Sequence, residues 1–507
     1  MNIDLIFQAI QQVLSFNFII LVFLGSLIGV IVGALPGLTT TMGIAILTGI
    51  TYKFEGLNAI ALLLGLYIGG TYGGSISAIL LGIPGTGAAA ATTLDGFPLA
   101  KQGKAVKAIT IAREASFIGT LIGILCLTVF IRILFKFALQ FTSPEYFLLA
   151  ITGVMLSGSV TSESAVKGWI AGIFGLIISL IGVEELYCYP RFTFGSVELY
   201  SGLPFIPLMI GFFGIPQYID NLKSDVDITV QEIKGFGLGF KEVLSRLPLV
   251  IRSGLLGTGV GLIPGVGEDV AAWVSYETAK KTSKHSEDFG KGSIDGLIAA
   301  ETANNACIGG ALVPLLSLGI PGSPPAAVLL GALMLHNIRP GPMLQFEAPY
   351  LIYQIIFFLL VGTFALLAIG LVMARPLSKI LEIKPSIVMP IVASLCVIGS
   401  YALDVRMLDI WLVFIFGVIG YILSILKFPP APFVLGVILG PLADSNLRRA
   451  LTVSSGSLSI FITRPVSLFL LFIILLMVLN QFGIISKIKD LKLSIINKRK
   501  EGKKSVK

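Results

Sequence analysis

The residues able to do chemistry in this chain cluster around four Pro-Gly pairs. Pro36-Gly37, Pro84-Gly85, Pro264-Gly265 and Pro321-Gly322 all lie within apolar sequence. Proline in a helix interior costs roughly 3 kcal/mol and glycine about 1 relative to alanine, so each pair marks a helix break. A break frees backbone N–H and C=O groups, which at membrane depth must face buried protein or a watery cavity. A half-helix N-terminus offers N–H groups and partial positive charge to an anion, while freed carbonyls can hold a cation such as Na⁺. Hydroxyls follow the breaks at Thr39, Thr40, Thr41, Thr86 and Ser323, and no Arg or Lys adjoins any of them. An organic-acid substrate would then be held by backbone and small polar groups. The candidate substrate site is Pro36, Gly37, Thr39, Thr40, Gly85, Thr86, Pro264, Gly265, Gly267, Gly322 and Ser323.

Glu301-Thr-Ala-Asn304-Asn305 lies between the last two breaks, and its positional counterpart falls near Thr71-Tyr-Gly-Gly-Ser75. Intramembrane acids are costly and usually functional, and hard cations prefer oxygen ligands. Glu301, Asn304 and Asn305 are therefore the candidate ion site, with interhelical hydrogen bonding as the rival role for the two amides. Glu268 and Asp269 suit either a solvated loop face or an ion site, and Asp95 reads as a cap or turn at residues 95–98. Gly25, Gly29, Gly69, Gly70, Gly172 and Gly175 read as close helix packing. Four cysteines without a CxxC, and only His285 and His336, point to neither a metal site nor redox chemistry, and no cofactor is expected.

These groups need elements to position them, and the composition says which. The 507-residue chain is 55% hydrophobic and only 13% charged, against roughly 25% charged in soluble domains. Apolar runs at 18–35, 57–81 and 350–373 fit the ~20 residues a crossing helix needs, and shorter ones at 117–130 and 466–479 accompany them. The expectation is an all-α polytopic membrane protein in the cell (inner or plasma) membrane, with about ten to twelve crossings plus re-entrant, broken helices. Nucleic acid is not an expected partner: of the +8 net charge, most lies in residues 487–507, which hold nine basic residues and two acids. The positive-inside rule puts that tail in the cytoplasm.

The breaks recur in order, Pro36 with Pro264 and Pro84 with Pro321, and the wider second spacing is taken up by the polar insert 280–293. In the first half the basic loop follows the second break, at Lys101, Lys104 and Lys107. In the second half it lies between the breaks, at Lys280, Lys281, Lys284 and Lys291. Equivalent loops on opposite sides of the membrane are the mark of an inverted-topology repeat, whose interface carries the transport site. The expected organisation is a first half, 1–220; a polar interfacial connector, 221–246; a second half with scaffold helices, 247–485; and the basic tail, 486–507.

Long motifs resemble one family. Gly33-Ala-Leu-Pro-Gly-Leu-Thr-Thr-Thr-Met-Gly43, Tyr72-Gly-Gly-Ser-Ile-Ser-Ala-Ile-Leu-Leu-Gly-Ile-Pro-Gly-Thr86 and Leu94-Asp-Gly-Phe-Pro-Leu-Ala-Lys101 are similar to the large membrane subunit of tripartite tricarboxylate transporters, the TctA family. Ser283-Lys-His, Phe289-Gly-Lys-Gly, Glu301-Thr-Ala-Asn-Asn305, Leu318-Gly-Ile-Pro-Gly-Ser323, Ala431-Pro-Phe-Val-Leu-Gly436, Gly440-Pro-Leu, Asn446-Leu-Arg-Arg-Ala450 and Thr463-Arg-Pro465 extend the resemblance over about residues 20–470. It implies a secondary, cation-coupled importer of tricarboxylates or related organic acids; the oxygen ligands of Asn304 and Asn305 make Na⁺ or H⁺ the expected coupling ion, with Na⁺ favoured. It also implies two protein partners, a small four-helix membrane subunit and an extracytoplasmic solute-binding protein. The chain departs from the family pattern at Glu268-Asp269, where Ala-Thr is common, at Gln217 and at Asp444. The rival class, a polytopic membrane enzyme, would have to work with Glu268, Asp269 and Glu301 alone.

Overall fold

The computed structural model describes residues 3–161, 164–184, 186–223, 239–381 and 385–481. Most of the polar connector (224–238) and the basic tail lie outside the described residues. The chain is an all-α polytopic membrane protein. Helix α1 (Ile3–Val13) leads into α2 (Phe16–Ala34), α3 (Thr40–Ile50), α4 (Gly56–Leu81), α5 (Ala90–Leu99) and α6 (Ala105–Ala138). Next come α7 (Ser143–Val160), α8 (Ala165–Ile178), a two-stranded antiparallel pair, β1 (Gly182–Val183) with β2 (Pro190–Arg191), and α9 (Phe205–Lys223). The second unit runs α10 (Phe240–Leu244), α11 (Leu247–Gly261), α12 (Gly267–Thr282), α13 (Ile294–Leu318), α14 (Pro324–Leu335), α15 (Leu344–Glu347) and α16 (Pro349–Val372). Then follow α17 (Ala374–Ile380), α18 (Pro385–Asp404), α19 (Met407–Ile425), α20 (Pro430–Val453), α21 (Ile460–Thr463) and α22 (Pro465–Gln481).

Among the described residues, 5 helical stretches are long and apolar enough to cross a bilayer, and shorter apolar helices of 10–17 residues accompany them. The breaks explain part of the shortfall from ten: α3, α11, α12 and α14, which adjoin them, are 11 to 16 residues long and too short to span alone. Gly82 and Gly319 end α4 and α13 in the same left-handed conformation, φ 71° and 72°, which a side chain would oppose.

Small residues then set how the pieces pack. A carbon added at Gly25, Gly29 or Gly33 would strike the backbone of Leu62, Leu66 or Gly70, so α2 and α4 lie side by side and parallel. Gly257 against Ala303 and Gly261 against Cys307 pair α11 with α13 in the same way. Helices α3 and α12 must therefore run back, making two helical hairpins with Pro36-Gly37 and Pro264-Gly265 at their tips. Gly56, at the start of α4, abuts His336 just beyond α14. Gln102 Nε2, beyond α5, donates to the Lys291 carbonyl at 3.0 Å, ahead of α13. The α2–α3 hairpin thus opens at the His336 end of the bundle and the α11–α12 hairpin at the opposite end. Lys101, Lys104, Lys107, Lys280, Lys281, Lys284 and Lys291 all belong to that second, basic end, where Lys107 pairs with Glu242 at 2.9 Å. Outside this core, α8 packs on α20 through Gly175 and Phe433, and α9 on α19 through Gly211 and Val413. Stacked Phe212 and Phe433, 4.2 Å apart, join the two scaffold groups.

Asp95 does not cap its own turn. It lies in α5 and its Oδ1 accepts the backbone N–H groups of Gly290, Gly292 and Ser293 at 2.8, 2.9 and 2.8 Å, tying the first half to the insert of the second. Of these donors the Ser293 N–H is buried, and orphaning it costs about 1–3 kcal/mol. Asp95→Ala should therefore lower the melting temperature in detergent by several degrees, as read by differential scanning fluorimetry; an unchanged melting temperature would show that the tie carries no stability.

Candidate functional site

The breaks converge on the middle of the bundle. Gly85 N–H reaches the Gly74 carbonyl and Gly322 N–H the Ala311 carbonyl, each at 3.3 Å. A carbon added at Gly85 would lie 2.0 Å from the Gly33 carbonyl oxygen, and one at Gly322 2.0 Å from that of Gly261. In each half the second break is thus laid across the end of the first helix of that half's hairpin. In the second half the two breaks also bond directly: Gly265 N–H donates to Pro321 at 3.1 Å and Gly267 N–H to Gly322 at 3.2 Å. Ser157 Oγ on α7 adds a 3.4 Å bond to the Gly265 carbonyl, and Pro264 packs against Gly153.

Aligning the halves on the Gly85 and Gly322 bonds makes Tyr67 the counterpart of Asn304. The counterpart of 301–305 is therefore 64–68 rather than the neighbourhood of 71–75. The two counterparts act reciprocally. Tyr67 on α4 donates its hydroxyl to Glu268 and lies 2.6 Å from Ser323 Oγ, at the second half's breaks. Asn304 on α13 donates to the Ala88 carbonyl at 3.3 Å, just past the first half's second break.

Glu301 is fully buried, and its carboxylate gathers three elements of the other half. Oε1 accepts from Ser75 on α4 at 2.6 Å and from Thr92 on α5, and Oε2 accepts from Ser116 on α6 at 2.9 Å. Asn305 turns elsewhere, donating to Thr120 Oγ1 on α6 at 3.0 Å, so it faces α6 rather than a break. Thr39 caps α3, accepting from Met42 N–H at 3.2 Å, and Ser323 caps α14, accepting from Ala326 N–H at 3.3 Å. Thr40 packs against Gly70, and Thr86 against Gly74. Pro36 and Gly37 are half-buried at their tip.

Three buried oxygens of these residues have no hydrogen-bond partner: Thr86 Oγ1, Asn304 Oδ1 and Asn305 Oδ1. Buried polar atoms are normally paired, so these are open positions for a ligand, ion or water. The acid pair divides: Glu268 is buried against Tyr67, whereas Asp269 is exposed and its carboxylate lies against Gly87. Neither behaves as a surface-loop residue, because both belong to the first turn of α12 at a hairpin tip.

Sequence reasoning missed Tyr67, Ser75, Thr92, Ser116 and Thr120. A tyrosine in an apolar run reads as core, and a helical hydroxyl can bond its own backbone. It also missed Arg113, a buried cation on α6 one turn before Ser116 and paired with Glu114 at 3.0 Å.

The family model described as the Tripartite tricarboxylate transporter TctA family matches residues 19–435. The chain is 35% identical over 451 residues to an uncharacterized 52.8 kDa protein in the TAR-I ttuC' 3' region of Agrobacterium vitis, covering 89% of this chain and 90% of that protein. An uncharacterized protein in the TAR-II ttuC' 3' region of the same organism is 35% identical over 215 residues, 42% of this chain and 89% of its own length. No solved structure matches. With the match spanning both break-containing halves, the chain belongs to the tripartite tricarboxylate transporter TctA family.

Proposed function

We propose that the chain, as the large membrane subunit of a tripartite transporter, imports a tricarboxylate or related organic acid by cation-coupled alternating access at the four breaks. The observation that carries this reading is the packing of two hairpins, entering from opposite ends, against two further breaks, beside which the buried oxygens of Thr86 and Asn304 have no partner. The basic end is cytoplasmic on the positive-inside rule, and so is the C-terminal tail. A solute-binding protein delivers the acid at the His336 end, and a small four-helix subunit completes the membrane complex. Glu268 and Asp269 add negative charge at a tip, which favours an acid less charged than citrate.

The test is uptake by cells lacking their own route for the acid. Co-expression of the chain with its two cognate partners should give saturable accumulation of one labelled carboxylate from a panel of mono-, di- and tricarboxylates. Omission of any component should abolish it. No accumulation of any carboxylate by the full set would overturn the reading.

The ion site gives a separate expectation. Asn304 adjoins a break and Asn305 does not, so Asn304→Ala should raise the half-saturating Na⁺ concentration more than Asn305→Ala does. Both should leave the half-saturating substrate concentration less changed. The reverse order in Na⁺ titrations of uptake would move the coupling ion toward α6.

A further inference from the structure

The two hairpins are not equally covered. On α12, Asp269, Trp273, Glu277 and Lys281 recur at four-residue spacing and are all exposed, forming one stripe from the hairpin tip to the basic end. Counting from the tip prolines, the matching residues of α3 are Thr41, Ala45 and Gly49, and all three are buried. Gly49 lies against Gly399 of α18, and Met42 reaches Gly214 of α9.

The depth of this stripe decides what covers it. Asp269 stands thirteen residues before Thr282, about 20 Å along α12 from the basic end at 1.5 Å per residue. Its neighbour Glu268 is tied through Tyr67 to Ser323, and the 12 residues of α14 run about 18 Å from there toward the His336 end. Asp269 is thus near the middle of a hydrocarbon layer ~30 Å thick, where an exposed carboxylate cannot face lipid.

Asp269 is also unengaged, with no hydrogen bond or ion pair among the described residues. Its carboxylate abuts Gly87, and the next residue, Ala88, holds the amide of Asn304, whose fully buried Oδ1 has no partner. Free carboxylate and amide oxygens of this kind suit a hard cation. We propose that the exposed face of α12 lines a water-filled crevice open at the basic end, and that Asp269, at its blind end beside Asn304, binds a small monovalent cation. This deepens the transport reading, since the coupling ion gains a residue that the resemblance does not supply.

The test reads accessibility rather than uptake, so a failure of carboxylate transport would sink the functional reading and leave this result standing. Trp273→Cys and, separately, Lys281→Cys are placed in a chain whose Cys126, Cys188, Cys307 and Cys396 are replaced. Membrane vesicles of both orientations then receive an impermeant maleimide. Both cysteines should be labelled from the same side only, and Na⁺ in place of choline should slow the Trp273→Cys reaction several-fold. Asp269→Asn should remove that slowing, while labelling of Lys281→Cys confirms insertion. A Trp273→Cys that labels from neither side would place the stripe against lipid or protein. Absence of slowing by Na⁺, or its persistence in Asp269→Asn, would remove Asp269 from a cation site. Any of these results overturns the proposal.

Discussion

Gly85→Ala and Gly322→Ala should each abolish uptake while leaving the protein in the membrane. The new methyl would lie 2.0 Å from a main-chain oxygen in both cases, that of Gly33 or of Gly261. Neither oxygen belongs to a flexible side chain that could swing away. The break must move off the adjoining helix, and the 3.3 Å bonds from Gly85 to Gly74 and from Gly322 to Ala311 go with it. Overpacking of this kind costs about 1–3 kcal/mol in stability, within reach of a folded membrane protein, but it displaces the segment that carries Thr86 or Ser323. Gly259→Ala is the matched control, since nothing lies within 4 Å of its added carbon. Initial uptake rates, normalised to protein in the membrane, should be wild-type for Gly259→Ala and near background for the other two. Wild-type rates in both Gly85→Ala and Gly322→Ala would reduce the breaks to packing devices.

Glu301→Ala should be the most damaging single side-chain truncation in the core. It leaves Ser75, Thr92 and Ser116 without an acceptor at a fully buried position where three helices of one half meet the long helix of the other. Hydrogen bonds to charged groups are worth about 1.5–3 kcal/mol each, although membrane interiors return less per bond. The expected result is a lowered melting temperature and a loss of uptake, about tenfold for each 1.4 kcal/mol by which the displaced clamp raises the transport barrier. Glu301→Gln keeps the shape and one acceptor oxygen, so it should fall between alanine and wild type in both measurements. A Glu301→Ala protein that melts like wild type would mean that the three hydroxyls find other partners and the clamp is incidental.

What could be read beforehand follows from the range of the interactions involved. Pro-Gly pairs in apolar sequence are local signals, and helices do end beside all four of them. The two basic loops were legible through their composition, and Gln102 and Lys291 now bring them to one end of the bundle. Glu301 stood out because a carboxylate in an apolar run is costly, but its partners were invisible: Ser75 and Thr92 lie more than two hundred residues away and look like ordinary helical hydroxyls. Tyr67 was hidden for the opposite reason, because an aromatic ring suits a core whether or not its hydroxyl is used. The placing of Glu301-Asn305 near Thr71-Ser75 was an error of register, because the contacts that align the two halves are not visible in the sequence. The sequence left Asp269 between a loop face and an ion site, and the structure was needed to place it, exposed, in the first turn of α12.

We propose above all that this chain moves an organic acid across a membrane with a cation. Proteoliposomes containing the chain and its small membrane partner, supplied with the acid-loaded binding protein, test it most directly. Uptake of the labelled acid is expected when an inward Na⁺ gradient is imposed, with collapse of that uptake when the gradient is dissipated or Gly85→Ala is introduced. Uptake that ignores both Na⁺ and proton gradients, or none under any gradient with the complete set of components, would contradict it.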